Sequence, residues 1–474
     1  MSTPTTAIPE TGFPPSQEPE LPGGRRVAEP RWSLAFVCVL AYLVVEYMRL
    51  SAQYQFLIPF QIGKVTMGLA TLGLLLSPRF RAGDQSLIRW MDVAMASFVL
   101  VSFVSACFAT YQTEAWTDYV NMLRWAVIYF VAGRVVNSTW RLRVFMLLFM
   151  LLNLKMAQST IRAYYSTWRY GGNVEALARE GVGAGWIGFF ANSGDFGVAM
   201  CVAWPLAGML LLGETRKILR SFYLVCFVAF LGGIFVSSSR GAFLAMSVIA
   251  LMAGLRKARR LGIALVFLLS IPGLLYLLPE TGKERLRSAA HWEEDTTASI
   301  RMHLWKSGIR MFIRHPLLGL GPGNFAPTYD ESYRDPNINP RVTAPHSIYI
   351  EGLSQVGLLG TIPLGLMWFL FFRMNARTRK VLVGLNKEKK PSLEYYFTLG
   401  MDLAMTGFLV SGAFLTVLYY PHLWFLLALG VGTHIAALRK QAAMKVGAVG
   451  SDSSAVIALG TSAPPVPSHS GTFG

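Results

Sequence analysis

A series of apolar segments long enough to cross a lipid bilayer constrains the fold of this chain more than any other feature. A hydrocarbon core of about 30 Å needs roughly twenty consecutive apolar residues in a helix. Segments of this kind recur from the thirties to about residue 440. They predict an all-α polytopic membrane protein with about twelve transmembrane helices.

The predicted spans divide the chain into five regions. Residues 1–30 and 441–474 are predicted to be disordered tails, because both ends are rich in small residues and proline. Helices one to nine fall in 31–278, and helices ten to twelve fall in 347–440. A large, partly helical loop occupies 279–346 between them. The approximate spans are 32–48, 56–76, 91–110, 119–136, 142–158, 186–212, 218–236, 241–255, 261–278, 347–372, 396–418 and 421–438.

Composition agrees with a membrane location and argues against nucleic acid as a partner. The 474 residues are 53% hydrophobic and 15% charged, whereas a soluble domain usually carries about 25% charge. The formal net charge is +17, but membrane proteins collect Lys and Arg in their cytoplasmic loops. The sequence has no nucleic-acid-binding motif. We therefore expect the lipid bilayer as a partner and no nucleic acid.

The distribution of basic residues predicts the orientation of the chain. If there are twelve spans, basic clusters near residues 25–31, 79–89, 134–143, 216–220, 256–260, 373–390 and 439–445 all lie on one side of the membrane. The positive-inside rule then places both termini in the cytoplasm. The loops at 279–346 and 159–185 are predicted to face the opposite side.

Arg240 is the first candidate for a functional side chain. It lies in FVSSSRGAFLAM, where the seventh predicted span ends and the eighth begins. An arginine in apolar surroundings is costly and needs a counter-charge, and the sequence around it offers no carboxylate. Contact with lipid headgroups is one interpretation. Binding of a phosphate or diphosphate by the planar, permanently charged guanidinium is the other.

Arg301 and Arg310 lie in a second basic segment, ASIRMHLWKSGIRMF. Apolar residues spaced along it, Ile300, Leu304, Ile309 and Met311 or Phe312, predict an amphipathic helix on the outer surface. The basic residues suit a headgroup-facing side of that helix and also suit substrate binding. The following segment, HPLLGLGPGNF, reads as a helix stop and tight turns that shape the loop.

His346 is the candidate general base. It follows Pro345 and opens the tenth predicted span. The sequence offers no cluster of metal ligands around it, so a proton-transfer role is the chemistry that fits. His303 and His315 are rivals, but their surroundings predict structural roles. We therefore predict no metal site.

Together these segments resemble the O-antigen ligase and polymerase superfamily of bacterial inner-membrane glycosyltransferases. SRGAFL has an Arg-x-x-x-Leu form, and SIRMHLW precedes the His-Pro-Leu-x-Gly-x-Gly pattern of HPLLGLGPGNF. PHSIYIEGLSQVGLLG then supplies a His followed by Ser and two later glycines. The motifs occur in this order between about residues 237 and 360.

The resemblance implies transfer of a glycan from undecaprenyl diphosphate on the periplasmic face of the bacterial inner membrane, without a metal or other cofactor. By motif, Arg240 and Arg301 would bind the diphosphate and His346 would activate the acceptor hydroxyl. A ligase would use lipid A core, a similar glycolipid, a glycan or a protein as acceptor. Arg179, Arg310 and Ser347 are further candidates for substrate binding, although Arg179 suits lipid headgroups equally well.

Two alternatives remain open from the sequence. A polymerase of the same superfamily would use another lipid-linked repeat unit as acceptor. A lipid-linked glycan flippase or other transporter would also have many spans and intramembrane arginines, but matching broken spans in two halves are expected there. The sequence shows no such repeat.

Overall fold

The protein is described here by a computed structural model that covers residues 31–77, 85–172, 193–255, 296–334, 344–385 and 391–460. These ranges contain helices and no strand. The helices are α1 (Leu34–Met48), α2 (Leu50–Gln53), α3 (Ile62–Leu75), α4 (Ser86–Cys107), α5 (Gln112–Val135), α6 (Thr139–Arg169), α7 (Ser193–Gly213), α8 (Lys217–Val236), α9 (Arg240–Leu255), α10 (Thr296–Arg314), α11 (Phe325–Ser332), α12 (Ile348–Leu385), α13 (Leu393–Gly412) and α14 (Pro421–Gly460). A short 3-10 helix occupies Gln55–Leu57.

The all-α class and the polytopic membrane character are confirmed in the described residues. Six helices there are long and apolar enough to cross a membrane, namely α4, α6, α7, α8, α12 and the Pro421–Lys445 part of α14. The helices α1 and α3 and the Arg240–Gly254 part of α9 are apolar but shorter. The predicted span 261–278 lies outside the described residues. The number of twelve spans and the outward position of the loop 279–346 stay predictions.

Two apolar helices form the centre of the bundle. In the hydrophobic stretch of α7, 83% of the residues are buried, and in that of α14 the share is 94%. The helix α7 packs against α8 and α13, while α14 packs against α5 and α12. A helix that is apolar on all sides belongs in the interior, so these two hold the lipid-facing helices together.

The helix ends define two opposite faces of the bundle. On the face that we call the site face, the end of α4 meets the loop after α10, and the start of α12 meets the segment after α13. On the other, which we call the basic face, the helix ends are joined by the ion pairs Arg134–Asp92, Arg143–Glu214 and Lys440–Glu394. Further Lys and Arg residues lie near these pairs in the sequence, at 216–220 and 377–380.

Helix α12 is broken at Gly357, which the sequence did not predict. The backbone there has φ 62° and ψ −164°, so the hydrogen-bond ladder is interrupted. The Ser354 carbonyl accepts a bond from the Leu320 amide at 2.9 Å, and the Gln355 carbonyl accepts one from Gly321 at 2.9 Å. The break therefore supplies hydrogen-bonding groups to the glycine-rich segment before α11.

The same segment also supplies acceptors to the second half of α12. The amide of Leu358 donates to the Pro316 carbonyl at 2.8 Å, and that of Leu359 donates to Leu317 at 3.1 Å. The side chain of Ser105 on α4 bonds the Leu318 carbonyl at 2.6 Å. The glycine-rich segment and the broken helix thus form one hydrogen-bonded unit, although about forty residues separate them in the chain.

Close backbone contact explains the glycines of this unit. Both Gly319, with φ 68°, and Gly357 lie in the left-handed region. A Cβ on Gly357 would be 2.4 Å from the Leu317 oxygen, and one on Gly319 would be 2.5 Å from the Gln355 carbonyl carbon. Neither neighbour is a flexible side chain, so the backbone itself would have to move.

The predicted span for α13 was too long at its C-terminal end. The sequence predicts a span over 396–418, whereas the helix ends at Gly412. The segment 413–420 instead forms turns that carry hydrogen bonds between Val410 and Ala413, and between Val417 and Tyr420. We call residues 411–420 the junction segment, because it contacts each part of the site described below.

The break in α12 predicts a large stability difference between two glycine substitutions in the same helix. Gly357→Ala should destabilise the protein by more than about 1–2 kcal/mol, since the left-handed backbone and the carbonyl contact both oppose a side chain. Gly365→Ala should be neutral or stabilising by up to about 1 kcal/mol, because nothing lies within 4 Å of a Cβ there. Thermal unfolding of the detergent-solubilised variants measures the difference. Equal unfolding temperatures would contradict the assignment of the break.

Candidate functional site

The junction segment connects the elements that carry the predicted catalytic residues. A Cβ on Gly241, beside Arg240, would be 3.5 Å from the Phe414 ring. That ring lies 6.0 Å from the ring of Trp305, one helical turn after Arg301. The hydroxyl of Thr416 accepts a 3.0 Å hydrogen bond from the His346 amide. The three motifs around Arg240, Arg301 and His346 are distant in the sequence, but all of them contact the junction segment.

Arg240 is the first residue of α9, and a serine turn fixes this end of the helix. Ser238 has a left-handed backbone with φ 48°. The Ser239 hydroxyl accepts from the Ala242 amide at 3.4 Å, and the Ser239 amide donates to the Ser237 hydroxyl at 3.3 Å. A serine in this position is a typical N-cap. Arg240 therefore sits where the helix dipole also favours an anion.

Arg301 lies on α10, which packs against α12 through a tight contact. A Cβ on Gly308 would be 2.3 Å from Ile350, and Leu304 and Met311 are fully buried beside it. The amphipathic helix is thus present, but the predicted position of Ile309 on its apolar face is wrong, because that side chain is 45% exposed. The small Gly308 permits the close approach to α12.

His346 has a constrained backbone and a depressed pKa. Its φ is 49°, in the left-handed region that non-glycine residues seldom occupy. Burial and, to a smaller extent, the positive charge of Arg301 together lower the pKa of the imidazole to about 4. The imidazole is therefore neutral at pH 7, which is the form that can accept a proton.

The structure relates the remaining candidates to this site in different ways. Ser347 is buried at 3% exposure, and its carbonyl accepts the Glu351 amide at 2.8 Å. Arg310 is exposed and lies nine residues after Arg301, which is half a helical rotation away on α10. Arg179 lies outside the described residues. The substrate-binding roles of all three stay predictions.

His303 and His315, the two alternatives to His346, make contacts that are typical of structural residues. The Nε2 atom of His303 is 3.3 Å from the Tyr333 carbonyl, and its ring packs against Tyr329. His315 is exposed where α10 ends, and its amide bonds the Met311 carbonyl at 3.0 Å. The preference for His346 over both is consistent with this arrangement.

Glu351 is a site residue that sequence reasoning missed. It lies in the first turn of α12, is 1% exposed, and receives a hydrogen bond from the Leu418 amide of the junction segment. Its Oε2 atom has no hydrogen-bond partner among the described atoms. The sequence did contain a signal for it. Glu351 is a carboxylate inside an apolar span, five residues after His346, and such residues usually have a function.

A second acidic residue approaches the junction segment from α7. The Tyr420 hydroxyl donates a hydrogen bond to Asp195, which is 2% exposed in the first turn of that helix. A Cβ on Gly197, two residues further along, would lie 2.9 Å from the Ser237 hydroxyl. The starts of α7 and α9 are therefore in contact, and the buried carboxylates fix the junction segment from two sides.

One buried donor without a hydrogen-bond partner among the described residues also lies at the site. The indole nitrogen of Trp305 is buried without a hydrogen-bond partner among the described atoms. Buried donors of this kind are uncommon in folded proteins and need an explanation. Trp305 is four residues after Arg301, so both side chains project from the same side of α10.

These features define a helical membrane protein with basic and proton-accepting groups gathered on one face. The part of the chain that contains these groups is similar to a known protein family. Residues 225–365 match the family model described as O-antigen ligase. The match includes Arg240, Arg301 and His346 and confirms the resemblance to the O-antigen ligase superfamily. A search of curated proteins gives no match to the chain.

Removal of the Arg301 charge should raise the pKa of His346 from about 4 towards the ordinary 6.5. A neutral glutamine no longer repels the imidazolium, while burial still opposes protonation. The pH dependence of imidazole carbethoxylation, assigned to His346 by peptide mass spectrometry, measures this in wild type and Arg301→Gln. Lys306→Gln is the control, because it removes an exposed charge from the same helix. An unchanged or lower midpoint in Arg301→Gln would contradict the proximity of the two groups.

Proposed function

We propose that the protein transfers a glycan from undecaprenyl diphosphate to an acceptor hydroxyl at the periplasmic face of the bacterial inner membrane. The acceptor of the favoured form is lipid A core or a similar molecule, as for an O-antigen ligase. The observation that carries the proposal is that the segments containing Arg240, Arg301 and His346 all contact one junction segment. The family match of residues 225–365 supports glycan transfer as the general activity.

The diphosphate of the donor would bind between Arg240 and Arg301. Guanidinium groups bind phosphate oxygens through paired hydrogen bonds. The amino-terminal ends of α9 and α12 lie on the same face and add positive potential. The indole of Trp305 offers one more donor in the same place. These groups favour the diphosphate most strongly as it gains charge during departure.

The acceptor hydroxyl would be activated by neutral His346. Its oxygen attacks the anomeric carbon, and the bond from that carbon to the diphosphate oxygen breaks. The hydroxyl proton passes to the imidazole, and the bonding electrons leave with undecaprenyl diphosphate. The low pKa of His346 keeps it neutral before the reaction, while the diphosphate anion would stabilise the imidazolium that forms.

The remaining polar residues would bind or position the reactants. Ser347, next to His346, is suited to orient the acceptor, and Arg179 and Arg310 are the predicted contacts for more distant substrate groups. Glu351 is assigned a positioning role, because its bond to Leu418 ties α12 to the junction segment. The same segment holds His346 through Thr416.

The proposal is tested with purified protein in liposomes that contain an undecaprenyl-diphosphate-linked oligosaccharide. Release of undecaprenyl diphosphate should depend on the acceptor and should fall at least a hundredfold in His346→Ala, since general base catalysis contributes about 10²–10⁴-fold. His315→Ala is the matched control, because that exposed histidine lies outside the site. Full activity of His346→Ala would overturn the mechanism, and loss of activity in thoroughly chelated wild type would contradict metal-independent transfer.

The same assay distinguishes the alternatives. Elongation of one lipid-linked repeat unit by another, with no use of lipid A core, would identify a polymerase of the superfamily. Movement of the labelled lipid across the bilayer without release of undecaprenyl diphosphate would identify a flippase. The break in α12 at Gly357 is a feature that transporters also have. It occurs together with Arg301 and His346, which lie between α9 and α12, and this combination favours a transferase.

A further inference from the structure

The exposed side of α10 carries an apolar stripe that is separate from the face packed against α12. The side chains of Met302, Ile309 and Ile313, which form this apolar stripe, are 42%, 45% and 67% exposed. At 3.6 residues per turn they fall within about 40° of one another around the helix. Leu317, three residues after the helix ends, is 60% exposed. Exposed apolar patches of this kind mark contact with a membrane or with another protein.

A basic stripe adjoins the apolar stripe. It consists of Lys306, Arg310 and Arg314, which are exposed and follow one another at intervals of four residues, so they lie on one side of the helix. The guanidinium of Arg314 also lies over the Tyr333 ring, 5.4 Å from its centre. An apolar and a basic stripe on one helix are typical of helices that lie in a membrane interface.

Both ends of α10 lie at the same membrane boundary. Near its start, the ring of Trp305 is 6.0 Å from that of Phe414 in the junction segment, which precedes α14. Just after its end, the Leu318 carbonyl accepts a 2.6 Å bond from Ser105 in the last turn of α4. Both α4 and α14 are long and apolar enough to span the membrane. The helix α10 therefore runs along the boundary on the site face and does not cross the membrane.

The order of side chains around α10 directs the apolar stripe towards the membrane. Trp305, which contacts the junction segment, is about 40° from Ile309 around the helix. His303 lies among the basic residues, and its Nε2 atom is 3.3 Å from the Tyr333 carbonyl after α11. Because α11 exposes Asp330, it lies outside the hydrocarbon core. The apolar stripe is thus on the membrane side of α10 and the basic stripe is on the water side.

The apolar stripe also continues from the lipid-facing surface of α12. Leu358 and Leu359 are 43% and 46% exposed in a helix that is long and apolar enough to span the membrane. The Leu359 amide donates a 3.1 Å hydrogen bond to the Leu317 carbonyl. Lipid that contacts this part of α12 therefore reaches Leu317, beside the end of α10.

We propose that the exposed side of α10 is inserted into the membrane leaflet on the site face. The apolar stripe contacts acyl chains, and Lys306 and Arg314 bind the negatively charged phosphates of the lipid headgroups beside it. Arg310, between them, keeps its predicted role as a substrate contact. Insertion also fixes the depth of Arg301 in the membrane. The use of that depth for diphosphate binding rests on the proposed function, whereas insertion itself does not.

Insertion is measured with a nitroxide label at Ile313→Cys in the full chain, in nanodiscs of phosphatidylcholine and phosphatidylglycerol. The background is Cys107→Ser, because Cys107 is exposed and the other cysteines are buried. Collisions of the label with oxygen should exceed those with a water-soluble nickel complex and correspond to about 5–10 Å of insertion. A label at Asp330→Cys, exposed on α11, is the matched control and should show the reverse order. Ile309→Cys serves if Ile313→Cys does not fold.

The basic stripe is tested in the same nanodiscs. Lys306→Gln/Arg314→Gln should shift the label at Ile313→Cys to a shallower depth, because the attraction to lipid phosphates is lost. Lys217→Gln/Arg220→Gln removes the same charge from exposed positions on α8 and should leave the depth unchanged.

Three outcomes would overturn the proposal. Dominant collisions with the nickel complex at Ile313→Cys, as at Asp330→Cys, would place the apolar stripe in water. Shielding from both reagents would show that a second copy of the chain or another protein covers the stripe. An unchanged depth in Lys306→Gln/Arg314→Gln would exclude lipid phosphates as the partner of the basic stripe. None of these measurements requires transferase activity, so their failure is distinguishable from failure of the proposed function.

Discussion

The backbone pairing between the glycine-rich segment and the broken helix α12 is the constraint on which the site depends. Hydrogen bonds run in both directions between residues 316–321 and 354–359. They compensate for the carbonyl and amide groups that the break at Gly357 removes from the helix ladder, which is essential near a membrane interior. Two motifs that look separate in the sequence are therefore a single structural element.

This element determines where the functional side chains lie. His346 is just before the first half of α12, and Arg301 is on α10, which packs against that half through Gly308. The junction segment completes the arrangement, because it contacts the Arg240 turn and holds the His346 amide. Buried Glu351 and Asp195 bond to the junction segment through Leu418 and Tyr420. A rigid site of this kind has its charges oriented before the substrate arrives.

The sequence was sufficient to predict the helical membrane class and the resemblance to the O-antigen ligase superfamily. Long apolar segments mark the helices, and the motifs around Arg240, Arg301 and His346 lie within residues 225–365, which match the O-antigen ligase model. The break at Gly357 could not be predicted, because a glycine in an apolar run is also compatible with a continuous helix. Most of the junction segment falls in the predicted span 396–418. Its apolar residues and Gly412 are likewise compatible with a continuous helix. Glu351 and Asp195 were overlooked although carboxylates in apolar spans are informative.

The central claim is that Arg240 and Arg301 bind the same diphosphate. Its most direct test is the affinity of undecaprenyl diphosphate for wild type, Arg240→Gln, Arg301→Gln and the double variant. Each single substitution should weaken binding roughly tenfold to a hundredfold, as for the loss of hydrogen bonds to a charged group. The combined loss should differ from the sum of the two, since groups that share a ligand are energetically coupled. Wild-type affinity in either single variant would contradict the claim.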